Sequence, residues 1–314
     1  SADGSYPLYK RGTGDISCTI KAYYALKMAG DAVNATHMAK AREWILAKGG
    51  AAKGNVFTRI MMAMFGQIPW RGVPYMPVEI MLLPKWFPFH LSKVSYWSRT
   101  VMVPLFILCT YKVKARNPNN IGIAELFVIP PDEENNYFAH VKTPLGKAIL
   151  VVERVGRLME PLIPAFVRRK ATAKARDWFM ERLNGYDGLG AIFTAMVNAY
   201  VAMDYLGIPP DNEQRQTARS AIDRLLVIKD DMAYCQPCVS PIWDTGLSAL
   251  VLQEVDKYDN NPQTQKSVKS ALQWLATKQL QDEPGDWRIQ RPKLPGGGWA
   301  FQFGNSYYPD VDDT

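Results

Sequence analysis

Cysteine is scarce in this chain. Cys18, Cys109, Cys235 and Cys238 are the only four among 314 residues. That is too few for a disulfide framework, and a reducing compartment is the default expectation. Cys235-Gln236-Pro237-Cys238 has the spacing of a redox pair or of half a zinc site. No second pair completes it, so plain structural cysteines are expected there. Histidine is scarcer still: His37, His90 and His140 are scattered, none at a telling spacing from a Ser, Cys or carboxylate, and each reads as structural. No apolar run reaches the ~20 residues that a membrane-spanning helix needs. The polar opening, Ser1-Ala2-Asp3-Gly4-Ser5-Tyr6, has no secretory-leader pattern and reads as entering a helix–turn unit already under way. Nucleic-acid motifs and zinc-finger spacings are missing, and no Arg-rich run extends beyond Arg168-Arg169-Lys170, so no nucleic-acid partner is expected. Strand-like alternation is missing too, which makes the expected fold class all-α.

What remains is an ordinary globular balance, 47% hydrophobic and 21% charged, in a chain long enough for roughly two domains. The net charge of +7 suits an anionic surface. Asp15 to Ala29 predicts a helix with Asp15 as its cap and Gly30 as its stop. Further helices are expected over 35–47, 56–65, 95–109, 173–183, 191–206, 212–227, 245–255 and 265–280. Prolines 69, 74, 77, 84 and 88 break the chain repeatedly among aromatic residues, and 112–142 is loop-like.

A weak internal repeat runs through these helices. Ala41-Arg42-Glu43-Trp44-Ile45-Leu46, Ala175-Arg176-Asp177-Trp178-Phe179-Met180 and Ala271-Leu272-Gln273-Trp274-Leu275-Ala276 share one pattern, each leading to a Gly-bearing turn. The third is the fullest, continuing to Gln279 and Gly285-Asp286-Trp287, with Gly297-Gly298-Trp299 after it. Trp44, Trp178, Trp274 and Trp287 are expected to be structural. Helix pairs stacked in this way curl into a solenoid or a closed α/α toroid.

Two stretches stand apart. From Gly146 to Lys170, many apolar residues alternate with Lys147, Arg154, Arg157, Arg168, Arg169 and Lys170, and Pro161 and Pro164 kink the run. It reads equally as a core helix with a solvated rim or as a helix lying in a membrane interface. The other stretch is Tyr307-Tyr308-Pro309-Asp310-Val311-Asp312-Asp313-Thr314, three carboxylates in four positions. Such a cluster is a solvated acidic tail, a divalent-metal site or, where it is dry, a proton donor, because carboxyls this close cannot all ionise freely. The aromatic residues Phe301, Phe303, Tyr307 and Tyr308 leading into it speak against a solvated tail. Asp15 with Thr19, Asp244-Thr245 and Asp313-Thr314 each precede apolar helices or stand where one would begin, and a helix N-terminus strengthens a nearby acid.

The Gln/Trp repeats, Ser240-Pro241-Ile242-Trp243-Asp244-Thr245-Gly246, Gly296-Gly297-Gly298-Trp299-Ala300-Phe301-Gln302-Phe303 and Pro309-Asp310-Val311-Asp312-Asp313-Thr314 together resemble the squalene–hopene cyclases, class II terpene cyclases. The likeness extends to Met76-Pro77-Val78-Glu79-Ile80-Met81-Leu82-Leu83-Pro84 and Ser95-Tyr96-Trp97-Ser98-Arg99. It implies two α/α barrels around a large apolar cavity. Residues 1–238 correspond to the non-catalytic barrel, incomplete at its start, and 239–314 to the opening of the catalytic one. It implies cyclisation of squalene to hopene and hopanol without a metal or cofactor. It also implies monotopic attachment to the cytoplasmic face of a bacterial inner membrane, which favours the interfacial reading of 146–170. A homodimer is compatible with the resemblance.

By the same likeness Asp312 is the proton donor to the terminal alkene, and Asp310 and Asp313 support its acidity. Trp243, Phe301 and Trp97 are substrate-contacting aromatics, and Val94 and Met102 fall near the channel constriction. Members of the family are about twice this length, so the chain alone is expected to be a fragment without turnover. Two readings compete. One is a class II cyclase of a prenyl diphosphate, which would need Mg²⁺ and a basic pocket that the sequence does not reveal. The other is a non-catalytic, lipid-binding helical-repeat protein. Oxidosqualene cyclases fit less well, since their acid motif differs from Asp310-Val311-Asp312-Asp313.

Overall fold

The first helix shows how the chain sets its own boundaries. In the computed structural model, α1 spans Ile16–Ala29, and the Asp15 carboxylate caps it by accepting from the Cys18 N–H at 2.7 Å. Gly30 ends it at φ 108°, a left-handed conformation that glycine adopts without steric cost. The structure describes residues 1–88, 90–139, 141–282, 285–289 and 292–310. His140, Asp312 and Asp313 lie outside the described residues.

The chain is mostly helical and divides into two compact units. The first comprises Ser1–Met76 with Cys109–Ile163. In it α1, α2 (Thr36–Ala47) and α3 (Val56–Met64) bury Ile20, Tyr23, Tyr24, Met38, Ile45 and Met62. The long loop after α4 is tied to α1 by side chains. Tyr23 Oη donates to Glu125 at 2.9 Å, Lys27 Nζ reaches the same carboxylate at 2.5 Å, and Tyr24 Oη donates to the Ile121 carbonyl. Loss of water and the Glu125 hydrogen bond together raise the Tyr23 phenol well above its ordinary value.

This unit also holds α5 (Pro144–Met159), capped by Thr143 and followed by a 3₁₀ turn over Glu160–Leu162, where Pro161 interrupts the run. Its polarity is reversed. The side facing its own unit is polar: Arg157 donates to the Val73 carbonyl at 2.8 Å and pairs with Glu153, whose carboxylate also accepts from the Tyr75 N–H. Gly156 sits against Tyr75, where a Cβ would come within 2.9 Å of the ring. Leu145, Ile149, Val152, Val155, Leu158 and Leu162 are exposed, and no residue of α5 is buried. In this chain the apolar side of the stretch lies outside the core of its unit.

The second unit comprises Pro77–Leu108 with Pro164–Thr314. It carries most of α4 (Tyr96–Thr110), α6 (Ala165–Glu181), α7 (Phe193–Tyr205), α8 (Glu213–Asp223), α9 (Pro241–Asp259) and α10 (Pro262–Lys278). Phe106, Phe179, Met196, Ala199 and Met203 are fully buried. Helix α6 packs along the 3₁₀ segment Val78–Leu82, where Arg168 Nε donates to Glu79 at 2.8 Å.

Two small antiparallel ribbons correct the expectation of a chain without strands. β1 (Leu183–Asn184) pairs with β2 (Gly188–Leu189), and β3 (Leu226–Lys229) pairs with β4 (Met232–Cys235). The helix expected over 212–227 stops at Asp223, and Leu226-Val227 enters β3 instead. That ribbon is exposed on both faces, so its sequence carries no in–out alternation to read.

Candidate functional site

Within the second unit, three separate stretches bring aromatic residues to one place. Trp97 stands in the first turn of α4. Trp243 stands in the first turn of α9, which begins at Pro241 after Ser240; proline suits that position because its missing N–H would be unpaired there anyway. Phe301 and Asp310 lie on the irregular strap from Trp299 to Asp310, whose ends are joined by a hydrogen bond from the Asp310 N–H to the Trp299 carbonyl at 2.8 Å. The Trp299 indole anchors the strap to α10 by donating to the Leu275 carbonyl at 2.7 Å.

Trp97, Ile192, Pro237, Cys238, Trp243, Phe301 and Asp310 line one cavity of about 420 Å³. A neighbouring cavity of about 310 Å³ lies between α9, α10 and the strap, lined by Ile242, Trp243, Leu247, Leu250, Leu275 and Trp299. Trp243 borders both. Asp310 supplies the one carboxylate among the described lining residues of the larger cavity. Its Oδ2 accepts from the Trp97 indole N–H at 2.9 Å.

Around this bond the rings are ordered. Trp97 meets Phe301 edge-on at 5.6 Å between centroids and Tyr308 edge-on at 6.1 Å. Tyr308 lies flat on Tyr96, 5.0 Å away and 4° from parallel. Tyr96 is buried, and loss of water pushes its phenol up to about 12, so it stays protonated and shares its hydroxyl with Asn305 at 3.2 Å. The arrangement is an apolar, aromatic-walled space with one carboxylate at its edge. Aromatic faces attract cations without offering a lone pair to capture them.

Of the residues singled out from sequence, Trp97, Trp243, Phe301 and Asp310 come together. Val94, at the end of the 3₁₀ turn Leu91–Lys93, and Met102, within α4, are half-buried and are not among the described lining residues. Asp312 and Asp313 lie outside the described residues. Sequence reasoning missed Cys238 as a cavity residue; it lines the cavity, and its thiol is raised by burial and by the nearby charge of Asp244. Its pairing with Cys235 was the available signal. Both cysteines are free. Among the described residues no group of three His, Cys, Asp or Glu side chains is placed to hold a metal ion. Also among them, no helix is long and apolar enough to cross a membrane.

The second unit is helical and holds an apolar, aromatic-lined cavity with Asp310 at its edge. Comparison with known proteins narrows the class. Residues 1–231 match the squalene–hopene cyclase N-terminal domain and residues 239–314 the squalene–hopene cyclase C-terminal domain. The chain belongs to the squalene–hopene cyclase family. It is 47% identical over 315 residues to the squalene–hopene cyclase of Bradyrhizobium diazoefficiens, covering 100% of this chain and 47% of that protein. It is 46% identical to that of Zymomonas mobilis, over 99% of this chain and 47% of the relative, and 33% identical to that of Alicyclobacillus acidocaldarius, over 99% and 48%. The chain thus spans about half the length of the curated relatives it matches.

Proposed function

We propose that this chain is part of a squalene–hopene cyclase, which closes squalene into hopene and hopanol through carbocations started by a proton. The carrying observation is the shared cavity of Trp97, Trp243, Phe301 and Asp310. An alkene is a very weak base, so the donor must be a strong acid, aimed at the double bond and shielded from water. Asp312 takes that role, with Asp310 and Asp313 as its flanking carboxylates. The proton passes from the Asp312 carboxyl to the terminal alkene, and successive ring closures move the positive charge along the chain. Proton loss gives hopene, and capture of water gives hopanol. Trp97, Trp243 and Phe301 supply faces that stabilise the cations, and Val94 and Met102 lie toward the route by which substrate arrives. Prefolding a flexible polyene in a shaped cavity lowers the entropic part of the barrier. No metal or organic cofactor is needed for this chemistry.

The proposed architecture is a pair of α/α barrels, with 1–238 in the non-catalytic barrel and 239–314 opening the catalytic one. The proposed location is the cytoplasmic face of a bacterial inner membrane, with monotopic attachment. The reversed polarity of α5 supports the attachment. Leu145 and Leu158 of α5 and Leu162 of the turn after it are each at least 70% exposed, the helix is held to its unit by polar contacts, and the exposed Lys147 and Arg154 are available to anionic headgroups. A homodimer is compatible with this arrangement.

The test is turnover by the complete open reading frame that contains these residues, expressed in membranes and supplied with squalene. Pentacyclic triterpene is expected from the wild type and none from Asp312→Asn, with squalene binding nearly unchanged. Absence of product from the wild type would remove the cyclase reading. The prenyl-diphosphate and lipid-binding readings would then be pursued.

A further inference from the structure

Three charged side chains lie almost wholly out of water beneath the strap, and the chemistry proposed above does not use them. Asp286 accepts from Arg182 twice, at 2.7 Å from Nη2 and 3.1 Å from Nε, and from Arg99 Nη1 at 3.1 Å. Their side chains are 4%, 7% and 8% exposed. Two guanidiniums on one carboxylate is an expensive arrangement to bury, and hydrophobic residues of the same volume often serve stability as well. A register-setting role is the best-attested reason to retain one.

The contacts around the cluster indicate which register it sets. Arg99 is two residues from Trp97 on α4 and lies over Tyr96 and Trp178, at 5.7 and 5.9 Å from their ring centres. Arg182, just past the end of α6, is clamped between Trp178 at 4.3 Å and Tyr307 of the strap at 4.5 Å. Asp286 opens a short 3₁₀ turn whose next residue, Trp287, donates its N–H to the Tyr307 carbonyl at 3.4 Å. Gly285 lets that turn approach, since a Cβ there would stand 2.6 Å from the Ser306 carbonyl oxygen.

One arm from Asp286 runs through Arg99 to the Tyr96 ring it covers, which meets Trp97 edge-on at 5.3 Å. The other runs through Arg182 and Tyr307 to Asp310. The arms meet again in the 2.9 Å hydrogen bond between Trp97 and Asp310. Burial lowers both arginines. For Arg182 the hydrogen bonds and charge of Asp286 more than offset it, leaving that group raised, while Arg99 remains lowered. Both stay charged, as arginine does in proteins.

We infer that Asp286, with Arg99 and Arg182, is a positioning device that sets Trp97 against Asp310 and thereby aims the acidic strap. The inference gives the Gly285-Asp286-Trp287 end of the repeat a function in the reaction, and it rests on the cyclase reading for its link to turnover. A displacement of reacting groups by about 1 Å can cost on the order of 100-fold in rate, so kcat is the parameter the cluster controls.

The test reads the Trp97–Asp310 contact directly. The protein is labelled with 5-fluorotryptophan, and the Trp97 resonance among nine tryptophans is assigned by its loss in Trp97→Phe. Asp310→Ala gives the position of that resonance without the hydrogen bond. Asp286→Asn, Arg99→Lys and Arg182→Lys are each expected to move it toward the Asp310→Ala position, and Arg219→Ala, which removes the exposed Arg219–Asp223 pair, to leave it in place. In the complete reading frame the three variants should lose about 10- to 100-fold in kcat, with KM for squalene within about 3-fold. If Asp286→Asn does not fold, the two lysine variants, which keep the charge but lose the planar fork, carry the measurement. A Trp97 resonance at its wild-type position in the folded variants would overturn the inference, as would unchanged kcat. Movement of the resonance in a protein whose wild type turns over no squalene would remove the cyclase reading and leave the positioning role standing.

Discussion

Asp187 makes folding of the second unit pH-dependent in a direction opposite to most carboxylates. It sits in the turn between β1 and β2 and is 1% exposed. Burial pushes its carboxyl up to about 6, while the N–H groups of Phe303 and Gly304 and the charges of Arg224 and Lys278 pull only part of the way back. The unfolded chain ionises this group near 3.8. Between those values the folded protein holds a proton that the unfolded chain has released, so stability falls as pH rises. The contribution is fully present below about pH 4 and is lost as pH passes through about 6. At 1.36 kcal/mol per pH unit, the gap corresponds to about 3 kcal/mol. Asp187→Asn keeps the shape and removes the titration. Urea unfolding of both proteins from pH 3 to 8 should show their stability difference changing by about 3 kcal/mol, with the wild type losing ground as pH rises. A difference that does not vary with pH would refute the reasoning. So would a wild type that gains ground, which would mean that the backbone N–H groups, and not burial, dominate the site.

Two further outcomes follow from packing and from the outward face of α5. Phe179→Ala removes a fully buried ring from α6 and should cost about 3–5 kcal/mol in chemical denaturation. Leu158→Asp places a charge on the exposed apolar face of α5 and should weaken binding to anionic phospholipid vesicles at least tenfold in a sedimentation assay, with the unfolding midpoint unchanged.

Much of the frame was legible because its signals are local. Asp15 and Gly30 mark both ends of α1, and the spacing of Ile20, Tyr23 and Tyr24 marks its buried face. Trp97, Trp243 and Phe301 were legible through motifs, and the cavity brings them together with Asp310. What escaped is long-range or directionless. Periodicity shows that α5 has an apolar face but not that this face points away from its unit, which is decided by Glu153 and Arg157 finding polar partners around Val73 and Tyr75. Asp286 read as part of a repeat because its partners Arg182 and Arg99 lie 104 and 187 residues away in sequence. The β3–β4 ribbon escaped because neither face is buried, and Cys238 because its spacing from Cys235 speaks of redox or metal chemistry and not of a cavity wall.

Under the proposed function, a proton from Asp312 starts the cyclisation. The direct measurement is to run the complete reading frame with squalene in D₂O and to weigh the product. The account predicts hopene heavier by one deuterium, delivered to the terminal alkene, and no product from Asp312→Asn. Hopene without deuterium, or undiminished product from the Asp312→Asn protein, would contradict it.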